Sequence, residues 1–223
     1  MELRTEGVSR RFFRGSGEAN FFYAVEKTDF ILPGGKLTEI TGRSGSGKST
    51  LLNLLAGLLK PSEGKVYLDD IDLYSLADGP RSELRNRSIG IVPQGQTGLH
   101  SLTVLENVKL PFLLYGETVS DETALELLER FDIAPLRDAY PDELSGGEMR
   151  RLAIARALIR RPAVLLADEP TGDLDDENTR TVLSQLRRAA DEGTAVLLVT
   201  HEREAADYAD CVYRMEKGVL RAE

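Results

Sequence analysis

Between residues 37 and 56 the chain reads as a strand, a glycine-rich turn and an apolar helix in immediate succession, and few folds accommodate that order. Leu37-Thr38-Glu39-Ile40-Thr41 has the alternation and β-branched content of a strand. Gly42-Arg43-Ser44-Gly45-Ser46-Gly47-Lys48-Ser49-Thr50 then satisfies the pattern G-x-x-x-x-G-K-[ST] at every constrained position. Its glycines let the backbone curl so that successive N–H groups point inward around a phosphate. Lys48 adds a mobile positive charge, and Ser49 offers a hydroxyl to Mg²⁺. The run Leu51-Leu52-Asn53-Leu54-Leu55-Ala56 continues as a helix whose N-terminus lends partial positive charge. A Gly/Ser-rich turn would match by accident in roughly one chain of this length in a hundred. The strand before the turn and the helix after it argue against accident.

Charge narrows the partners. With 28 basic against 37 acidic residues, the formal charge of −9 repels a phosphate polymer, so no nucleic acid partner is expected. Arg150, Arg151, Arg156, Arg160 and Arg161 stand at helical spacing and read as a solvated face or as salt-bridge donors. Cys211 is alone, which excludes a disulfide within the chain and fits a reducing compartment; beside Val212 it is expected to be a small core residue. Met1-Glu2-Leu3-Arg4 has no secretory character and no segment approaches the roughly 20 apolar residues of a membrane span, so any service to a membrane is expected through a partner, from the cytoplasmic side.

Along the chain, residues 3–8 and 21–30 alternate as strands, with Phe12 and Phe13 ending the first beside the loop 15–18; an aromatic there could stack on an adenine. Pro33-Gly34-Gly35 turns into 37–41, so the first 41 residues are expected to form an antiparallel arrangement. Residues 64–70 read as another strand, and 88–92 as a short apolar one ending at Pro93-Gln94. Past a strand end, Gln94 could reach Mg²⁺ or an attacking water, although taken alone it reads as a plain loop residue. From 102 to 157 the pattern is helical, with no Gly/Pro-rich linker, which predicts one composite domain with a helical lobe.

Ser145 and Glu148 stand at capping-box spacing within Leu144-Ser145-Gly146-Gly147-Glu148. Two glycines at the first helical positions weaken a helix by about 0.5–1 kcal/mol each, a cost that makes sense if a ligand approaches the backbone closely. Ser145-Gly146-Gly147 is thus a second anion cradle. Either the chain binds two ligands, or two copies each lend one cradle to a shared nucleotide. Residues 163–169 form an apolar strand ending in Asp168 and Glu169, placed to hold a Mg²⁺ shell and to polarise water at a γ-phosphorus. The turn 170–175, which includes Asp173, leads into a helix over 177–190. Residues 194–200 are another buried strand with His201 at its carboxyl edge, in reach of a γ-phosphate. Residues 211–215 and 219–221 read as a hairpin around Lys217-Gly218.

Together these residues closely resemble the ATP-binding cassette family, the nucleotide-hydrolysing subunits of ABC transporters: 42–50 matches Walker A, Gln94 the Q-loop, 144–148 the signature, 164–169 Walker B with its glutamate, Leu174-Asp175 the D-loop and His201 the switch histidine. The resemblance implies an α/β fold: a P-loop NTPase core with a mixed/parallel central sheet, an N-terminal antiparallel β subdomain and an inserted helical subdomain. It divides the single domain 1–223 into a RecA-like core with the antiparallel strands (1–93 and 162–223) and a helical subdomain (94–161). It implies ATP and Mg²⁺ as ligands, with Glu169, His201 and Lys48 catalytic. Ser49, Gln94 and Asp168 would serve the metal. Phe12 or Phe13, residues 42–50, Gln94, Ser145, Gly146, Gly147, Glu148, Asp175 and His201 would contact nucleotide.

The family pattern further implies a head-to-tail dimer with a second copy around two ATP molecules, an integral membrane permease as partner, and a cytoplasmic place on the inner face of the membrane. Leu102-Thr103-Val104-Leu105-Glu106-Asn107-Val108, Leu110-Pro111 and Thr171-Gly172-Asp173-Leu174-Asp175 look like the lipoprotein-release and macrolide-efflux branch. The sequence departs from the family at Pro93, where an aromatic is common, at Glu148-Met149, where glutamines are, and at Phe12 or Phe13, where tyrosine is usual. The same cassette chemistry would equally serve a membrane partner that acts in cell division or antibiotic sensing rather than transport. A soluble DNA-repair or translation ATPase fits neither the length nor the acidic charge.

Overall fold

In the computed structural model, residues 1–13, 21–95, 98–172 and 174–223 are described; the loop 15–18 and Asp173 lie outside them. Strands β1 (Leu3–Phe13), β2 (Phe21–Leu32) and β3 (Leu37–Thr41) lead to helix α1 (Lys48–Leu55) and strands β4 (Glu63–Leu68) and β5 (Ile71–Asp72). Helix α2 (Asp78–Ser88) runs into β6 (Ile89–Val92), and α3 (Val104–Leu113), α4 (Asp121–Arg130) and α5 (Gly146–Leu158) follow. The chain closes with β7 (Val164–Asp168), α6 (Asp176–Asp191), β8 (Ala195–Val199), β9 (Cys211–Glu216) and β10 (Val219–Ala222).

Two sheets result. One is antiparallel, in the order β2-β1-β4-β5; the other runs β10-β9-β3-β8-β7-β6 and is parallel except for its last hairpin. Expectation fails at β3. It leaves the antiparallel partners β1 and β2 and lies parallel between β8 and β9. The reason is burial: the first four residues of β3 are all enclosed, so both faces need cover, which a parallel sheet sandwiched between layers provides. The turn at Pro33-Gly34-Gly35 therefore switches sheets instead of closing a hairpin; Gly35 takes φ 74°, and a Cβ on Gly34 would stand 2.5 Å from the Met1 carbonyl oxygen.

Alternate residues of the parallel strands serve opposite faces. Ile40, Leu166 and Leu197 pack with Leu51, Leu54 and Leu55 of α1 and with Leu3 and Leu68 of the antiparallel sheet. Leu37, Leu165 and Val196 pack with Leu152 of α5 and Val182 and Leu186 of α6. Each such fully buried leucine contributes about 2 kcal/mol. Helix α2 buries no residue, which is why the sequence carries no periodicity announcing it. Cys211 is exposed, against expectation: it opens β9, a strand near the sheet edge in which only Met215 is buried. Among the described residues, no helix is long and apolar enough to cross a membrane.

Candidate functional site

The pairings Ile40 with Val199, Asp168 with Val199 and Val92 with Ala167 bring the carboxyl ends of β3, β8, β7 and β6 to one edge. That edge is where ligands bind in such sheets. It forms one wall of a cleft of about 1010 Å³ lined by residues 42–50, Phe12, Phe22, Gln94, Arg150, Asp168, Glu169, His201 and Gly218.

The loop 42–50 takes its shape from two close approaches. Gly42 and Gly47 have φ 149° and 111°, and a Cβ on them would stand 2.3 Å from the Met215 carbonyl oxygen and 2.0 Å from that of Ala24. Gly47 is also the N-cap of α1 and offers no side chain, so the first N–H groups of the helix stay open to an anion. The buried Lys48 points its Nζ into the loop, donating to the carbonyl oxygens of Gly42 (2.6 Å) and Arg43 (3.2 Å). Behind the loop, the Gly218 N–H donates to the Ser46 carbonyl oxygen and the Glu26 N–H to that of Gly218, both at 2.8 Å.

Asp168 closes β7 and is buried. Burial pushes its carboxyl up from the usual range, against the Ser49 hydroxyl that hydrogen-bonds it; neighbouring Glu169 adds to the rise and Lys48 opposes it. Its Oδ1 has no hydrogen-bond partner among the described residues. A free buried carboxylate oxygen beside a serine hydroxyl fits Mg²⁺, which takes one or two protein oxygens and keeps its other positions for phosphates and water.

Glu169 follows with φ 48°, a left-handed backbone that a non-glycine residue adopts at a cost of about 1–3 kcal/mol. Its N–H donates to the Val199 carbonyl oxygen at 2.8 Å, which holds the conformation. The carboxylate Oε2 lies 2.9 Å from Nδ1 of His201. That hydrogen bond, with the negative charge behind it, raises the imidazole pKa above its ordinary value. The pair is unequal in exposure, 14% for the Glu169 side chain against 67% for His201, so the carboxylate is anchored and the imidazole reaches outward.

Gln94 is exposed at the end of β6, and the flanking carbonyl oxygens of Pro93 and Gly95 accept hydrogen bonds from Arg150 at 3.1 and 3.2 Å. Of the two aromatics, Phe12 lines the cleft and meets Phe22 at 6.0 Å between centroids. Phe13 is 57% exposed, packs on Phe21 and lies outside the cleft.

Ser145, Gly146, Gly147, Glu148 and Asp175 are not among the cleft-lining residues. Ser145 caps α5 in a full capping box: Glu148 Oε2 accepts from the Ser145 hydroxyl (2.6 Å) and N–H (2.7 Å), and these bonds lower the Glu148 carboxyl pKa. Asp175 caps α6 through the Asn178 N–H at 2.8 Å. Asn178 also joins the two helix starts, donating from Nδ2 to both Asp175 oxygens at 2.9 Å while its Oδ1 accepts from Arg151. Sequence reasoning missed Phe22, Arg150, Gly218 and Asn178, because each acts through a contact with a distant segment that local patterning does not encode.

A family model described as ABC transporter matches residues 25–172. The lipoprotein-releasing system ATP-binding protein LolD of Xanthomonas campestris pv. campestris is 42% identical over 224 residues, spanning 98% of this chain and 92% of its own length. The methionine import ATP-binding protein MetN of Bradyrhizobium diazoefficiens is also 42% identical, over 205 residues that span 90% of this chain and 58% of its own. Among solved structures, a dimeric post-hydrolysis state of the ATP-binding cassette MJ0796 bound to ADP and Pi superposes with a TM-score of 0.91 at 34% identity, covering 99% of this chain and 97% of that one. The sheet edge, the glycine loop and these likenesses agree: the chain belongs to the ABC transporter family and is an ATP-hydrolysing cassette subunit of it.

Proposed function

We propose that two copies of this chain dock head to tail around two ATP molecules, each held by residues 42–50 of one copy and closed by Ser145, Gly146 and Gly147 of the other. One observation carries this reading. Two helices start on glycine-rich turns, α1 at Gly47 and α5 at Ser145-Gly146-Gly147, and only the start of α1 lines the cleft. The dimeric form of the MJ0796 cassette supports it.

Within such a site Phe12 stacks on the adenine, the open N–H groups of α1 cradle the phosphates, and Lys48 exchanges its carbonyl partners for phosphate oxygens. Ser49, Asp168 and Gln94 would hold Mg²⁺, which would neutralise charge on the phosphates. Glu169 accepts a hydrogen bond from the attacking water and aligns its oxygen with the γ-phosphorus; that oxygen bonds to phosphorus as the bond to the β,γ-bridging oxygen breaks, the water's proton passes by way of Glu169 to the departing phosphate, and ADP and phosphate leave. His201, with Nδ1 engaged by Glu169, presents Nε2 to the γ-phosphate. Closure and release of the dimer move residues 94–161 and drive a separate membrane permease, from the cytoplasmic face. The exposed Leu113, Leu114 and Tyr115 at the end of α3 supply an apolar surface for that partner. Two relatives of equal identity are named for different cargoes, lipoprotein and methionine, which supports a cassette that leaves cargo choice to the permease.

Size-exclusion chromatography with ATP and Mg²⁺ tests the shared site. Glu169→Gln is expected to bind ATP, lose turnover by about a thousandfold and elute as a dimer. Ser145→Arg is expected to bind ATP as a monomer without hydrolysing it. Normal turnover by Ser145→Arg would defeat the proposal.

A further inference from the structure

At the opposite end of the six-stranded sheet, where β7 and β8 begin, a second cleft of about 800 Å³ lies between α4, the exit of α5 and the end of α6. Arg87, Arg130, Arg161 and Arg188 line it against only Glu126 and Glu192, in a chain whose formal charge is −9. The carboxylate of Glu192 is already engaged, accepting from Arg188 Nε at 2.9 Å and from Arg130 Nη1 at 3.3 Å. Arg87 is paired with Glu83 and Glu117. Arg130, held to Glu192 through Nη1 alone, and Arg161 keep guanidinium donors unused. Nε and Nη2 of Arg130 are buried with no hydrogen-bond partner among the described residues, and Arg161 has no carboxylate paired with it among them.

The backbone at Arg161 is a second, independent sign. It takes φ 49° three residues past the end of α5, its N–H donating to the Leu158 carbonyl oxygen at 2.8 Å. A left-handed residue at a helix exit is ordinarily glycine or asparagine. Arginine meets a Cβ penalty on that backbone that glycine or asparagine largely avoids, so its guanidinium is kept there at a cost to folding.

We propose that this cleft is a receptor for a compact polyanion bearing a diphosphate group, held by Arg130, Arg161 and Arg188. Guanidinium groups take phosphate oxygens in paired hydrogen bonds; the exposed Arg161 and Arg188 can turn that fork into the cleft, and a shift of the Arg130 side chain brings its enclosed nitrogens to the same anion. Because Arg130 ends α4 while Arg161 and Arg188 stand beside the strand starts, an occupant ties the helical insert to the sheet. The inference is independent of the dimer, since every residue comes from one chain.

The test is calorimetric titration with inorganic pyrophosphate of the full chain saturated with ADP, without magnesium to complex the titrant, so that the loop 42–50 is already filled. One saturable binding event is expected. Arg161→Asn suits the left-handed backbone and keeps the fold, and it is expected to weaken that event at least about tenfold while leaving ATP hydrolysis in the absence of pyrophosphate unchanged. Arg188→Gln is expected to weaken it similarly. No binding by the ADP-loaded wild type at millimolar pyrophosphate would overturn the proposal, as would equal binding by wild type and both variants.

Discussion

Glu39 shows most clearly what a single position hides. Three of the five residues in its strand, Leu-Thr-Glu-Ile-Thr, are polar, yet Glu39 is 1% exposed between β8 and β9, and its Oε2 has no partner among the described residues. Burial, with the charge of Glu223 behind it, raises its carboxyl from 4.5 to about 7. The sign follows from linkage. A carboxyl whose folded pKa is raised contributes stability that is fully present below its unfolded value and is lost as pH rises through the folded one. This group therefore destabilises the fold progressively between pH 4.5 and about 7 and by a constant amount above. Glu39→Gln, which keeps the shape, is expected to stabilise the chain at pH 8 by on the order of 2 kcal/mol and to converge with wild type below pH 5, as read by urea denaturation. The motif residues were legible in the sequence because their spacing is local. That Phe12 rather than Phe13 lines the cleft was not, because the register and twist of the β1–β2 pair decide it.

The start of α5 was readable, since a capping box is a matter of four adjacent residues, Ser145 to Glu148; that Asp175 caps α6 was not read, the turn being expected to run to Asp175 and the helix to begin at 177. What joins α5 to α6 was unreadable. Asn178 lies far from Arg151 in sequence and connects to it through one amide that also braces Asp175. Space there is tight as well, since a Cβ on Gly147 would stand 2.9 Å from Asn178 Oδ1. Asn178→Ala keeps the helix but frees Arg151 and Asp175. It is expected to cost about 1 kcal/mol in a thermal melt and to lower ATP turnover about tenfold with KM for ATP little changed, as steady-state assays would measure. An unchanged turnover would make the amide purely structural. Helix α2 marks the opposite limit: with no residue to bury, it left no trace in the pattern.

Both cores share strands, because Leu37 and Ile40, Leu165 and Leu166, Val196 and Leu197 divide between the two faces of one sheet. Neither core survives loss of that sheet, so the nucleotide-free chain is expected to unfold in one transition. Far-ultraviolet circular dichroism and the fluorescence of its seven tyrosines, free of tryptophan, should coincide across a denaturant series. The parallel sheet itself was legible strand by strand from its apolar runs; the order of its strands was not, and β3 was misplaced because partners so distant in the chain leave no local mark. That order governs how the molecule comes into being. Strands β1, β2 and β4 can assemble as soon as they leave the ribosome, but β3 must wait for β8 and β9, and the Ser46 carbonyl must wait for Gly218. A nascent chain thus carries its glycine loop without these supports until β8, β9 and Gly218 have emerged, and a full grip on a triphosphate comes no earlier.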